Sequence, residues 1–198
     1  MSMHYATMQK QARPIVMRPH IKDVLMWRTI WYYMPHLITR NNHMQIKLNH
    51  LEAQIAVQTG AARMLQNQTN GVISHGPRKI EPDINGAGGE IAVCKYFNRY
   101  PDLSIGPHYS GYDLKVKGKK VDVKTTSYNP GYLQAKTKKN PNDCDIFILV
   151  HVSFPTFTIL GGATSTQLLQ DVNLQDMGYG PKYTMQQSQL SSMADLFA

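Results

Sequence analysis

Asp113, Asp122, Lys124 and Glu90 are the residues of this chain whose types and spacing carry chemistry. Residues 113–126 read D-L-K-V-K-G-K-K-V-D-V-K-T-T, alternating apolar and polar on either side of Lys117-Gly118, which predicts a β-hairpin with a two-residue tip. Such a tip fixes the register: Val116 faces Lys119, Leu114 faces Val121 and Asp113 faces Asp122. Side chains repeat every second residue along a strand, so Lys124 shares the face of Asp122, while Leu114, Val116, Val121 and Val123 turn to a core. Two carboxylates placed opposite each other repel. A chain that keeps them there holds a cation or a shared proton between them. Upstream, Gly86 to Phe97 reads as a helix in which Glu90 precedes Val93, Cys94 and Phe97 by three, four and seven residues. That spacing puts Glu90 on the apolar stripe, where an unpartnered carboxylate is costly, and makes it the third acid of the set.

The order of these residues, Glu on a helix, then Asp, then a short hairpin into Asp-x-Lys, resembles the PD-(D/E)xK, or restriction-endonuclease-like, nucleases. The resemblance covers Gly86 to Val150, about a third of the chain, and departs from the family pattern at Tyr112, which stands where a proline precedes the first aspartate. The tail, a glycine turn followed by Tyr183-x-x-Gln186 and a leucine-containing end, also resembles small phage-carried proteins of the same superfamily. By motif position the resemblance implies that Asp113 and Asp122 hold Mg²⁺, with Mn²⁺ able to substitute. It assigns Glu90 to complete the metal's surroundings and Lys124 to orient or deprotonate the attacking water while offsetting phosphate charge. The implied activity is that of a Mg-dependent phosphodiesterase, a nuclease acting on nucleic acid and on DNA first. The implied fold is α/β, a mixed sheet of four or five strands flanked by helices on both sides around a restriction-endonuclease-like core. The place of action is then the cytoplasm, the host's if the chain is phage-encoded.

The residues by themselves leave a plainer reading open. A hairpin face of Lys115, Lys117, Lys120, Asp113, Asp122 and Lys124 also works as a solvated surface with Asp and Lys paired diagonally. Glu90 also works as an N-terminal helix acid after Gly86, Gly88 and Gly89. The corresponding function is a catalytically inactive nucleic-acid-binding or structural phage protein of the same fold.

Composition bounds the rest. The 198 residues carry a formal net charge of +8, which suits a polyanionic partner. Lys115, Lys117, Lys119, Lys120, Gln134, Lys136, Lys138 and Lys139 are the candidate nucleic-acid contacts. Cys94 and Cys144 form no C-x-x-C and read as reduced thiols, Cys94 on the apolar stripe. No run approaches the ~20 apolar residues of a membrane span, so no membrane partner is expected. The oligomeric state is left open, with a homodimer among the options.

Along the chain, residues 1–43 hold Trp27, Trp31 and six cations (Lys10, Arg13, Arg18, Lys22, Arg28 and Arg40) against Asp23 alone, with no clean period. They read as a basic, poorly ordered N-terminal extension, either an arm or a leader ahead of a start at Met44. Residues 44–198 form the nuclease-like domain, with its core at 86–162. Leu48 to Gln68 predicts a helix opened by an Asn49/Glu52 capping box, with Leu48, Leu51, Ile55, Ala62 and Leu65 on one face. Gly76 to Pro82 is a connector with Arg78 and Lys79 as phosphate contacts or solvated cations. Tyr132 to Lys136 is a strand or a helical turn, and Asp145 to Ser153 is a central strand covered on both faces. Phe157 to Leu160 is its hairpin partner, ending at Gly161-Gly162. Thr164 to Leu169 is a short helix, Lys182 to Met185 a last strand, and Ser188 to Phe197 a closing helix.

Overall fold

A computed structural model describes residues 43–69, 79–106 and 111–198. The expectations for residues 1–42 and for Arg78 lie outside the described residues. Strand β1 (Met44–Lys47) leads into helix α1 (His50–Thr69), and α2 (Glu81–Tyr96) packs beside it. The Asn49/Glu52 box opens α1 as expected: each backbone N–H donates to the other residue's side chain, at 2.7 and 2.8 Å. The hairpin follows as β2 (Leu114–Val116) and β3 (Lys119–Thr126). Lys117 and Gly118 both have positive φ, +48° and +81°, the type I′ geometry whose twist matches the flanking strands. The expected register results for Leu114 opposite Val121 and Val116 opposite Lys119. The ladder ends there, and the expected facing pair of Asp113 and Asp122 is not formed: the Asp113 N–H donates to the Val121 carbonyl instead.

Strands β5 (Ile146–Ser153) and β6 (Thr156–Thr164) complete a five-stranded mixed sheet of order β1-β6-β5-β3-β2, in which β3 and β5 run parallel. Between them the chain leaves the sheet as β4 (Tyr132–Lys136). This strand joins β7 (Leu174–Asp176) and β8 (Pro181–Gln186) in a separate three-stranded sheet. Helices α3 (Ser165–Leu168) and α4 (Met193–Leu196) are single turns.

The continuous apolar run of β5 serves two cores by alternation. Ile146, Ile148, Val150 and Val152 pack with α1, α2, Val121 and Val123, while Phe147 and Leu149 pack against Leu133, Ala135 and Met185 of the smaller sheet. The α/β class and the five-stranded mixed sheet therefore stand, but of the flanking helices expected on both sides the two long ones cover one face only. The other has just the single turn α3, through Leu168, beside the small sheet that covers it.

Several elements differ from expectation. Helix α2 begins at Glu81, not Gly86, with Pro82 in its first turn and Glu81 and Asp83 as its N-terminal acids. Gly88 and Gly89 lie inside it, where a Cβ would strike the Phe157 ring and the Thr125 methyl; their absence of side chain lets the helix lie close on the sheet. The buried side of α1 is Ala56, Thr59 and Gly60, whereas Leu51 and Leu65 are 64% and 59% exposed. Strand β6 continues through Gly161-Gly162 to Thr164. The end of the chain is a 3₁₀ turn at Gln187–Gln189 and the single turn α4, not one helix. Strand β1 was not foreseen.

The α1–α2 contact generates a pair of opposite expectations. A Cβ at Gly60 would lie 2.6 Å from the Ile84 backbone, whereas one at Gly86 meets nothing within 4 Å. Gly60→Ala should lower stability by about 1–3 kcal/mol, and Gly86→Ala, mid-helix and unobstructed, should raise it by about 0.5–1 kcal/mol. Urea denaturation of both variants checks this; equal signs would show that the helices do not meet as described. Across the same contact Lys95 of α2 pairs with Glu52 at 2.7 Å. Burial works to raise the Glu52 carboxyl, but Lys95 and the Asn49 N–H overcome it and hold it below its ordinary 4.5. A lowered folded value means stability present above 4.5 and lost as pH falls below it. Glu52→Gln should therefore cost about 0.2–1 kcal/mol at pH 7, and the gap to wild type should close in acid.

Candidate active site

Asp122 stands between Val121 and Val123, which face the helices, so alternation turns its carboxylate to the other side of the sheet, beside Phe147. Its side chain is only 6% exposed. Two ammonium groups reach it. Lys124 Nζ donates to Oδ1, and Lys139 Nζ donates to Oδ2 at 2.6 Å. Lys124 comes from the same strand face, as its spacing predicts. Lys139 comes from the loop after β4, also donates to the Gly111 carbonyl, and lies 5.6 Å from the centre of the Phe147 ring. Burial works to lower the Lys124 ammonium, but Asp122, with Asp113 behind it, more than reverses this and leaves it above its ordinary value. Lys124 is thus a hydrogen-bond donor and counter-charge to Asp122.

Asp113 lies just ahead of β2, where the regular ladder has ended. Its N–H donates to the Val121 carbonyl at 2.8 Å, and its Oδ2 accepts from the Val123 N–H at 2.6 Å. The side chain thus supplies the acceptor that β2 no longer offers to β3, satisfying a backbone donor that would otherwise be stranded. The same bond fixes the Asp113 carboxylate beside the strand that carries Asp122 and Lys124.

Glu90 is in the body of α2, on the stripe with buried Val93 and Cys94, not at the helix N-terminus. Arg63 of α1 holds it: one guanidinium nitrogen donates to both carboxylate oxygens, at 2.8 and 2.9 Å, and the other to the Asp102 carbonyl at 3.1 Å. Burial, and then the Asp113 carboxylate, push Glu90 up to about 7 against the pull of Arg63 and Lys124. Those influences also show that Glu90, Asp113 and Lys124 share one electrostatic neighbourhood. Arg63 was missed by the sequence reading. Its signal is helical spacing, since position 63 follows buried Ala56, Thr59 and Gly60 on the same side of α1.

The remaining candidates separate. Lys117 donates to the Phe197 carbonyl at 2.6 Å, Lys119 to that of Leu196 at 3.1 Å, and Lys120 to that of Asn142 at 3.0 Å. These three, expected as nucleic-acid contacts, are engaged in holding the hairpin to the rest of the chain. Lys115 lies 5.4 Å over the Tyr112 ring, and Gln134 turns to the Met177 sulfur at 3.3 Å. Lys136 and Lys138 are exposed, whereas Lys139 is internal to the site. A cleft of about 480 Å³ opens between residues 99–104 and the start of β2, with Asp113 and Lys115 in its wall. Burial pushes the Cys94 and Cys144 thiols up to about 12, which makes them inert core residues.

Asp113 and Asp122 offer oxygen donors alone, the set a hard cation such as Mg²⁺ takes from one or two carboxylates, with water filling its other positions. The residues fit that ion, provided a lysine yields its Asp122 oxygen. Glu90, expected to complete the metal's surroundings, carries Arg63 on both its oxygens. Among the described residues no three acids, histidines or cysteines are gathered into a ready-made cage. No protein-family model, curated protein or solved structure matches this chain.

The two lysines on Asp122 set an expectation for the metal-free protein. Asp122→Asn removes the charge that both ammonium groups were brought in to meet, and should destabilise by about 1–3 kcal/mol in EDTA. Thermal denaturation in chelator measures it. A variant as stable as wild type would mean that the lysines are not held by Asp122.

Proposed function

We propose that this chain is a metal-dependent nuclease of the PD-(D/E)xK, restriction-endonuclease-like type, hydrolysing phosphodiester bonds of nucleic acid and of DNA first. The observation that carries the reading is Lys124 on the buried Asp122 of β3, with Asp113 held on the backbone of the same strand by the Val123 N–H and both carboxylates acting on the Lys124 ammonium. A hairpin face needed only for solubility has no reason to bury an aspartate to 6% exposure and then bring two ammonium groups to it. Phosphodiester hydrolysis asks for an oriented water, a neutralised phosphate and a stabilised leaving oxygen. A divalent cation held by Asp113 and Asp122 supplies acidity to a bound water and a clamp on developing charge. Lys124, kept as an ammonium, orients that water and offsets the phosphate's charge in a partly desolvated place where such help is strongest. Asp113 is held in position by the Val123 N–H, and Arg63 fixes Glu90 behind it. The net charge of +8 favours the polyanion.

Supercoiled plasmid and single-stranded DNA, incubated with purified protein, test this directly. Cleavage should need Mg²⁺ or Mn²⁺ and stop in excess EDTA. Lys124→Ala should lose about 10²–10³-fold in rate while keeping most of its DNA affinity, which should still fall with salt. Cleavage indifferent to EDTA, or a Lys124→Ala protein cutting at the wild-type rate, would sink the mechanism. Binding without cleavage by the wild type would favour the catalytically inactive module.

A further inference from the structure

Lys139 belongs to a short basic stretch, Lys136 to Lys139, in which Lys136 and Lys138 stay in solvent. Its own side chain is 16% exposed and ends on the Asp122 oxygen that Lys124 leaves over. Withdrawing an ammonium from water is unfavourable unless its donors are met, and Asp122 Oδ2 and the Gly111 carbonyl meet two of the three. Neutralising Asp122 does not require it, because Lys124 already does so from the same strand face. The second cation covers the remaining Asp122 oxygen, where it opposes any metal that approaches, and an ammonium is also what a phosphate group attracts.

We infer that Lys139 is a phosphate-binding residue of the active site that, in the free protein, occupies the Asp122 oxygen a metal ion takes. Once it yields Oδ2, its ammonium remains anchored on the Gly111 carbonyl, beside the segment that leads to Asp113, and turns to the scissile phosphate. The inference rests on the nuclease reading of the same site. It couples the two ligands: each makes room or partner for the other, and by linkage each raises the other's affinity by the same factor.

The test measures Mn²⁺ binding by calorimetry, with and without a DNA duplex of uncleavable phosphorothioate linkages, together with kcat and KM at saturating Mn²⁺. It compares wild type, Lys139→Met, Lys139→Gln and Asp122→Asn. Lys139→Met keeps the apolar stem over Phe147 and removes the competitor. Without DNA it should bind Mn²⁺ about tenfold tighter, since affinity is no longer reduced by the blocked fraction of sites. The duplex should tighten Mn²⁺ binding about tenfold more in the wild type than in this variant, where only the metal's own attraction for phosphate remains, and KM should rise about tenfold. Lys139→Gln keeps donors for Asp122 and Gly111 but no charge, so it should share the raised KM; it also carries the comparison if the Met variant fails to fold. A merely structural Lys139 predicts the reverse: weaker Mn²⁺ in the Met variant, with both Mn²⁺ affinity and KM restored by Gln. That result overturns the inference. If Asp122→Asn loses Mn²⁺ while Lys139→Met matches wild type, the inference falls and the nuclease reading stands. If Asp122→Asn binds Mn²⁺ like wild type and the wild type does not cleave, both fall.

Discussion

A carboxylate sealed from water must bring its counter-charge into the fold with it, and Asp122 brings two. Its neighbours on the same face of the sheet, Phe147 and Leu149, show what packing alone asks for there. Buried ion pairs seldom stabilise a fold relative to apolar side chains of similar volume, because desolvation offsets most of the attraction. Stability relative to apolar side chains therefore does not account for the arrangement around Asp122. Much else is arranged around that carboxylate: the loop after β4 folds back so that Lys139 can cross to Gly111, and Gly111 itself, at φ +68°, has no room for a side chain beside Asp143. Three separate segments, at Gly111, β3 and the loop after β4, are fastened at one charge.

The helices impose a second constraint. Because Gly60 lets the backbone of α1 touch that of α2 at Ile84, and Gly88 lets α2 touch Phe157, the helix pair has little freedom to slide over the sheet. Glu90 is placed by that fit and then locked by Arg63 from the neighbouring helix. Its carboxyl, pushed up by burial and by Asp113, shows that packing has brought two like charges nearer than they would settle by themselves.

What could be read from the sequence was what local chemistry determines. The hairpin register follows from a two-residue tip that forces positive φ, the capping box from the short reach between Asn49 and Glu52, and the central strand from an unbroken apolar run. What could not be read was set by contacts between distant segments. Close helix packing selects small residues, so the buried side of α1 is Ala56, Thr59 and Gly60, while the large apolar Leu51 and Leu65, which look like a core face, point outward. The glycines of α2 look like a helix boundary because their use, close approach to Phe157 and Thr125, lies across the fold. Two strands of the small sheet, at Tyr132–Lys136 and around Lys182 to Met185, could be read, but the three-residue β7 and the four-residue edge β1 are too short to show a period. Asp113, Asp122, Lys124 and Glu90 could be named from spacing. Their partners Arg63 and Lys139 could not, since a charge's partner is a tertiary choice.

The partnerships of the site also differ in how much chain they must close. Lys124 is two residues from Asp122, the Val123 N–H ten from Asp113, Lys139 seventeen from Asp122 and Arg63 twenty-seven from Glu90, whereas the hairpin tip reaches Phe197 across eighty. Closing a loop costs more conformational entropy the longer it is, and contacts distant in sequence slow the search for the native state. The charged centre is thus the most local part of a fold whose sheets are largely non-local. By closure entropy alone, the contacts around β3 and the loop after β4 cost least to form, the helix clamp more, and the tether at the hairpin tip most.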